Sequence, residues 1–329
     1  MTDKLRIGFA GCGSHATANL YPCLQYAPVR LVAVCDLNED RRAHAQRHFG
    51  AGSAFASVDE LLNGPELDAV LVCGPPEFHH GTAMAALDKG LHVFVEKPPA
   101  PDLKAAQEMR EAARQNQRLC QVGFMKRFAL RYQEAKHISA RAQFGQISQI
   151  SIKYSHSSVP NLRYMPLYMT IHCFDLIRYF VGDLARITVE SRQSKGQYNL
   201  AAVGTSRRGA LVTLQTNSQE PRMKEIVEII GEGEMLTMRN VIELEYHHRV
   251  DPSRAHYSGV HDIEVVRPDF AVATPNQNSL FLQGYAGQIN AFARSCIENR
   301  PAQVSIDDGV EAMKLVELFS QGSCVTMDL

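Results

Sequence analysis

Gly8-Phe9-Ala10-Gly11-Cys12-Gly13-Ser14-His15-Ala16 decides how the first third of this 329-residue chain folds. The run Leu5–Ala10 just before it is short, apolar and closed by glycine, which reads as a buried β-strand. The turn that follows has the form G-x-G-x-x-A at Gly11, Gly13 and Ala16. Gly11 permits a tight turn, Gly13 lets the backbone approach a pyrophosphate, and Ala16 keeps the following helix close to the strand. The backbone from Gly11 through Cys12, Gly13, Ser14 and His15 to Ala16 then offers N–H groups at a helix N-terminus. The helix dipole adds about 0.3–1 kcal/mol for a bound anion.

Working outward, Ser14–Ala27 reads as a helix and Leu31–Cys35 as a second buried strand. Asp36 closes that strand with Leu37 beside it, in position to accept hydrogen bonds from an adenosine ribose. A carboxylate there repels a 2′-phosphate, so NAD is the expected cofactor. Arg41 and Arg42 nearby are the residues that would hold the extra phosphate of NADP, the alternative. The alternation continues. Glu39–Phe49 reads as a surface helix, Asp68–Cys73 as a strand, Glu77–Lys89 as a helix and His92–Val95 as a strand. Asp102–Asn116 reads as a helix and Leu119–Val122 as a strand. Apolar strands separated by such helices predict a doubly wound parallel sheet over residues 1–122.

Composition bounds the rest. The chain has 34 basic and 35 acidic residues, and 45% of it is hydrophobic. No concentrated basic field points to nucleic acid or a membrane surface. Eight cysteines form no C-x-x-C pair and mostly sit in apolar runs, which reads as buried thiols in a reducing compartment. The thirteen histidines are scattered, and no metal site is expected. With no signal-peptide core and no long apolar span, the expected location is the cytoplasm.

Beyond Gly123 the pattern changes. A helix at Leu130–Gln143 is followed by Ile147–His156, Ile187–Arg192, Ala210–Thr216, Ile226–Gly231, Met235–Arg239 and Val241–Tyr246, which read as strands without long intervening helices. Residues 123–329 are therefore expected to form an α+β domain with a large, mostly antiparallel sheet. Within it, apolar positions 171, 174, 177, 180 and 181 share one helix face, and Gly182 stops that helix. His172 and Asp175 lie three apart on it, and a histidine suits the proton transfer that accompanies hydride transfer. His247–Asn278 reads as a long excursion, and helices near Leu280–Ile297 and Asp308–Gly322 close the chain.

Two further segments carry more information. They are Gly74-Pro75-Pro76-Glu77-Phe78-His79-His80 and Gly90-Leu91-His92-Val93-Phe94-Val95-Glu96-Lys97-Pro98-Pro99. With the glycine turn, Gly123-Phe124-Met125-Lys126-Arg127-Phe128, Gly284-Tyr285 and Ile306-Asp307-Asp308-Gly309, they closely resemble the glucose–fructose oxidoreductase and inositol dehydrogenase (Gfo/Idh/MocA) family. The resemblance implies a dehydrogenase or reductase acting on a sugar, inositol or related polyol. It implies that Gly74, Pro75 and Pro76 pass over the cofactor, that Glu96 and Lys97 line its nicotinamide end, and that Lys97 contacts the reacting oxygen. An ammonium at a strand end stabilises negative charge as hydride moves, provided water is excluded. His79 either contacts the cofactor or caps the nearby helix.

The resemblance also implies that His172 is the catalytic histidine and that the open sheet face joins subunits into a homodimer or homotetramer. Many members carry an aspartate four residues before that histidine. This chain has Tyr168, whose phenol donates a hydrogen bond but does not raise imidazole basicity as a carboxylate does. Arg127 and Arg163 are the further candidates for substrate contacts. The competing reading is a catalytically silent dinucleotide- and sugar-binding sensor on the same fold.

Overall fold

The computed structural model describes residues 4–249, 262–269, 278–322 and 325–328. The chain divides into two compact units, Met1–Met125 with Gly284–Lys314, and Lys126–Gln283 with Leu315–Leu329.

The first unit opens with β1 (Leu5–Ala10), β2 (Val29–Cys35), α1 (Glu39–Phe49), β3 (Ser53–Phe55) and α2 (Val58–Asn63). It continues through β4 (Ala69–Val72), α3 (Pro76–Asp88), β5 (His92–Val95), α4 (Leu103–Gln115) and β6 (Cys120–Val122). The six strands are parallel in the order β3-β2-β1-β4-β5-β6, with β4 buried along its whole length. The expected doubly wound sheet is present, and its order reverses between β1 and β4, where such folds bind ligands. Local chemistry sets the helix ends. The Asn38 side chain accepts the Arg41 N–H at 3.0 Å, and Gly50 ends α1 in the left-handed region at φ 74°. Asp102 accepts the Ala105 N–H at 2.8 Å to start α4.

One expectation needs correction. Ser14–Ala27 is not a regular helix. After a short α-helical start it widens to a π-helix over Ala16–Leu20 and tightens to a 3-10 helix over Tyr21–Tyr26. Pro22, which lacks an amide hydrogen, stands at the change of pitch.

The second unit contains α5 (Leu130–Ser139), β7 (Gln149–Ser155), α6 (Ile171–Val181), β8 (Leu184–Ser194), β9 (Gln197–Ser206) and β10 (Leu211–Asn217). Then come β11 (Lys224–Ile230), β12 (Met235–Arg239), β13 (Glu243–His247), β14 (Ile263–Val266) and α7 (Ser279–Leu282). The chain returns to the first unit with α8 (Tyr285–Ile297), where Phe292 meets Phe94 edge-on at 5.8 Å. It closes with α9 (Ile306–Ser320) and β15 (Val325–Asp328). The nine-stranded sheet runs β14-β13-β12-β11-β7-β10-β9-β8-β15, and only the β7–β10 pair is parallel. The mostly antiparallel α+β unit is thus present.

Two readings are refined here. Leu280–Ile297 is two helices, broken where Gly284 adopts φ 93°. Within the supposed excursion, β13 reaches His247 and Ile263–Val266 pairs with it, so those residues are strand; His256 and His261 lie outside the described residues. The seven described cysteines are free thiols. No helix among the described residues is long and apolar enough to cross a membrane.

Candidate functional site

Five loops meet at the carboxyl ends of the parallel strands, and backbone bonds lock their levels. Gly11 N–H donates to Cys35 O at 2.7 Å, Cys73 N–H to Ala10 O at 2.9 Å, Glu96 N–H to Val72 O at 2.9 Å, and Gly123 N–H to Val95 O at 2.8 Å. In the glycine turn, Gly11 sits at φ 102°, and a Cβ there would fall 1.9 Å from Cys73 O. Only glycine fits. A Cβ at Gly13 would meet nothing within 4 Å beyond its chain neighbours, so packing does not require glycine there. Ser14 is exposed, Cys12 and Ala16 are buried, and His15 is intermediate.

Asp36 is held from both sides. Its Oδ2 accepts the Cys12 N–H at 2.8 Å and its Oδ1 accepts the Asn38 N–H at 2.9 Å. A carboxylate has about four acceptor positions, so two remain for a ribose. Leu37 beside it is 88% exposed. Arg42 turns back, donating to the carbonyls of Asp36 at 3.4 Å and Leu37 at 3.2 Å, while Arg41 is exposed.

The second turn is organised by His79. This imidazole is buried, and its Nε2 accepts the Gly74 N–H at 2.8 Å. That fixes the proton on Nδ1, which donates to Pro98 O at 2.7 Å. Burial pushes its pKa down to about 4, with the Lys97 ammonium adding to the effect. Both nitrogens are spent on backbone. His79 therefore neither contacts a cofactor through nitrogen nor caps α3; it ties the Gly74-Pro75-Pro76 turn to the loop after β5. Pro75 is exposed and Pro76 begins α3.

Glu96 ends β5 almost fully buried, with Oε2 accepting the Lys97 N–H at 3.1 Å. Burial pushes its pKa up to about 7 against the pull of Lys97. Lys97 itself is half-buried, and the Lys97–Pro98 peptide is cis. Reading the sequence did not single out Gln121 and Gln288. Gln288 Nε2 lies 3.5 Å from Glu96 Oε1, and Gln121 Nε2 donates to Gln288 O at 3.1 Å. No local pattern marks either one, because α8 reaches this corner from the far end of the chain.

The remaining candidates belong to the second unit. Arg127 makes a two-pronged bond to Asp175, Nε to Oδ2 at 3.0 Å and Nη2 to Oδ1 at 2.6 Å. Its neighbour Lys126 pairs with buried Glu225, which also accepts the Tyr132 hydroxyl at 2.6 Å. His172 is buried one turn from Asp175 on α6. A π-helix over Met165–Thr170 precedes α6; it carries Tyr168, whose ring stacks on Tyr164 at 4.5 Å. Such widened turns favour functional sites. Arg163 is exposed.

Comparison with known proteins bears on the first unit and on the fold. Residues 5–124 match the family described as "Oxidoreductase family, NAD-binding Rossmann fold". A myo-inositol 2-dehydrogenase of Thermotoga maritima is 29% identical over 185 residues, covering 54% of this chain and 55% of that protein. The chain thus matches about half the length of such curated relatives. Among solved structures, a dehydrogenase from Chromobacterium violaceum superposes with a TM-score of 0.90 at 22% identity, covering 98% and 96% of the two chains. A levoglucosan dehydrogenase in complex with NADH and L-sorbose superposes at 0.85 and 17% identity, covering 98% and 99%.

Proposed function

Through residues 5–124 this chain belongs to the Gfo/Idh/MocA oxidoreductase family, and from that premise we propose that it is an NAD-dependent dehydrogenase or reductase acting on a hydroxyl or carbonyl carbon of a sugar, inositol or related polyol. The observation that carries the proposal is Asp36, fixed by the Cys12 and Asn38 amides beside a turn whose Gly13 no protein contact requires.

The residues fit the dinucleotide. The Gly11–Ala16 backbone receives the pyrophosphate, and Asp36 receives the adenosine ribose hydroxyls. Leu37 offers an exposed apolar surface at the adenine end. Arg42 is turned to loop carbonyls, which favours NAD over NADP. The bound nicotinamide supplies the hydride acceptor or donor. Lys97 stabilises negative charge on the reacting oxygen, and His172 takes or returns its proton. Tyr168 contacts the substrate in place of a carboxylate.

The myo-inositol relative and the sorbose-bound neighbour support a polyol or sugar as substrate. The open face of the nine-stranded sheet is proposed as the contact between subunits.

The direct test is parallel fluorescence titration with NADH and NADPH, followed by a sugar and polyol screen. Tighter NADH binding, and turnover that disappears in Lys97→Ala while NADH binding persists, are the expected results. Binding without turnover on any sugar would favour the sensor, the reading that Tyr168 motivates. Failure to bind either nucleotide would overturn the proposal.

A further inference from the structure

Glu96 is placed unlike an ordinary carboxylate. It is 2% exposed and pressed against the backbone of Gly123, where a Cβ would come within 2.7 Å of Oε1. Its hydrogen bonds are few: the Lys97 amide at 3.1 Å and the distant Gln288 amide at 3.5 Å. From the glycine turn, His15 Nε2 approaches Oε2 to 3.8 Å. The Asn19 side-chain amide lies 3.1 Å from His15 Nδ1 and can only donate there, so the neutral ring carries its proton on Nε2, facing Glu96. The imidazole is thus half-exposed on the glycine turn while its inner nitrogen is turned to the carboxylate.

This pair occupies a defined place along the strand ends. Asp36, after β2, marks the adenosine side of the switch point. The pyrophosphate turn follows β1. A dinucleotide continuing in that direction passes over the ends of β4 and β5, where Cys73, Glu96 and Lys97 stand. Its nicotinamide half would therefore lie near Glu96, and that ring is the part whose charge would change, from cationic when oxidised to neutral when reduced.

We propose that Glu96, with His15 over it, senses the redox state of the bound cofactor: it is ionised against the cationic ring of NAD+ and takes up a proton against the neutral ring of NADH. This rests on the NAD-binding reading above. An opposite charge within a few ångströms favours an ionised carboxyl, and burial disfavours it. The groups facing Glu96 leave it as the titrating member near neutrality. His15 is held down to about 4 by burial and by Lys97. The Cys73 thiol is raised far above neutrality by burial. Gln121 and Gln288 carry no charge, and Glu96 itself titrates at about 7. The proton balance is simple. Alcohol oxidation releases one proton, which His172 takes from the hydroxyl and passes to solvent; near neutrality Glu96 takes up part of a proton from solvent as the ring becomes neutral, and returns it when the reduced cofactor departs.

The test is calorimetric titration of the wild-type protein with NAD+ and with NADH, in two buffers of different ionisation heat, from about pH 6 to about pH 8. NAD+ binding is expected to release more protons than NADH binding. The ratio of the NAD+ to the NADH dissociation constant should fall about fivefold over that range, approaching the limit of about tenfold set by a one-unit displacement of the carboxyl. Glu96→Gln should flatten the ratio. A wild-type ratio that does not move with pH, or a Glu96→Gln variant that keeps the wild-type slope, overturns the inference while leaving NAD binding intact. Failure to bind either form overturns the proposed function, and this inference with it.

Discussion

At the residue scale, His79 makes the most exposed claim. Replacing it with leucine keeps the apolar packing but leaves Gly74 N–H, five positions before it, and Pro98 O, 19 positions after it, without their partner. A loss of about 2–4 kcal/mol is expected, read as a lower urea midpoint at unchanged slope. Its pH signature has a definite sign. A folded pKa of about 4 against an ordinary 6.5 means the unfolded chain binds more protons between them. Stability from His79 is complete above 6.5 and lost as pH falls toward 4. Glu96 runs the other way, because its folded pKa of about 7 lies above its ordinary 4.5. Its contribution is complete below 4.5 and lost as pH rises through 7. Urea titrations across this range should therefore show a shallower acid slope in His79→Leu, and an unchanged slope would refute a His79 held neutral by burial. Tyr168 separates differently. Phenylalanine retains the stack on Tyr164, so Tyr168→Phe should fold normally while KM for the sugar rises about three- to tenfold, the worth of one neutral hydrogen bond. Wild-type kinetics would remove Tyr168 from the site. The glycine turn, Asp36, Glu96 and Lys97 were legible because each sits in a short motif whose chemistry is local. The role of His79 was not, since its Pro98 partner lies in another loop.

At the element scale, legibility followed length and regularity. Glu39–Phe49, His92–Val95 and Met235–Arg239 have the bounds read from sequence, with α1 carrying its own cap and its own stop. Ser53–Phe55 is only three residues long, too short to show a period. The β8–β9 hairpin escaped notice although Lys195 and Gly196, at φ 51° and 75°, form the paired left-handed turn such hairpins favour. The break at Pro22 was visible as a residue but not as a change of pitch. A prediction belongs to α6. Its buried Asp175 is tied by two bonds to Arg127, which lies in the turn immediately after Lys126, itself paired with Glu225. Breaking a buried pair by neutralising one partner leaves a charge stranded. Asp175→Asn is expected to cost on the order of 3 kcal/mol in thermal unfolding. A variant as stable as wild type would show that the Arg127–Asp175 pair does not hold this unit together.

At the scale of the whole molecule, alternation of strands and helices was enough to read a doubly wound parallel sheet, since each crossover in such a sheet has one allowed hand, although its edge strand β3 was not among the strands read. The nine-stranded order could not be read that way. Its central strand, β7, takes β11 from one side and β10 from the other, and its edge strand β15 comes from the chain's end. The register shows what this order presents. Leu211 pairs with Thr205 and Gln149, Thr213 with Val203 and Ser151, and Gln149 with Ile230. Paired residues point to one face, so Val203, Leu211 and Ile230 share it. Followed across β12 and β13, the same pairing carries that face to Val265 on β14. Val203 is 56% exposed, Leu211 40% and Val265 47%. The opposite face alternates into the core, as the pattern along β9 and β10 records. Each aliphatic side chain moved from water into a contact gains about 1.5–3 kcal/mol, so a second copy laid on this face has a driving force that the polar surroundings of Thr205, Thr213 and Ser151 do not oppose. Sedimentation equilibrium should therefore find a dimer or tetramer. The double variant Val203→Glu, Leu211→Glu should shift it toward monomer with NADH binding retained, because both substitutions lie in the second unit and the glycine turn belongs to the first. A wild-type monomer, or an oligomer indifferent to both glutamates, would rule out this face as the subunit contact.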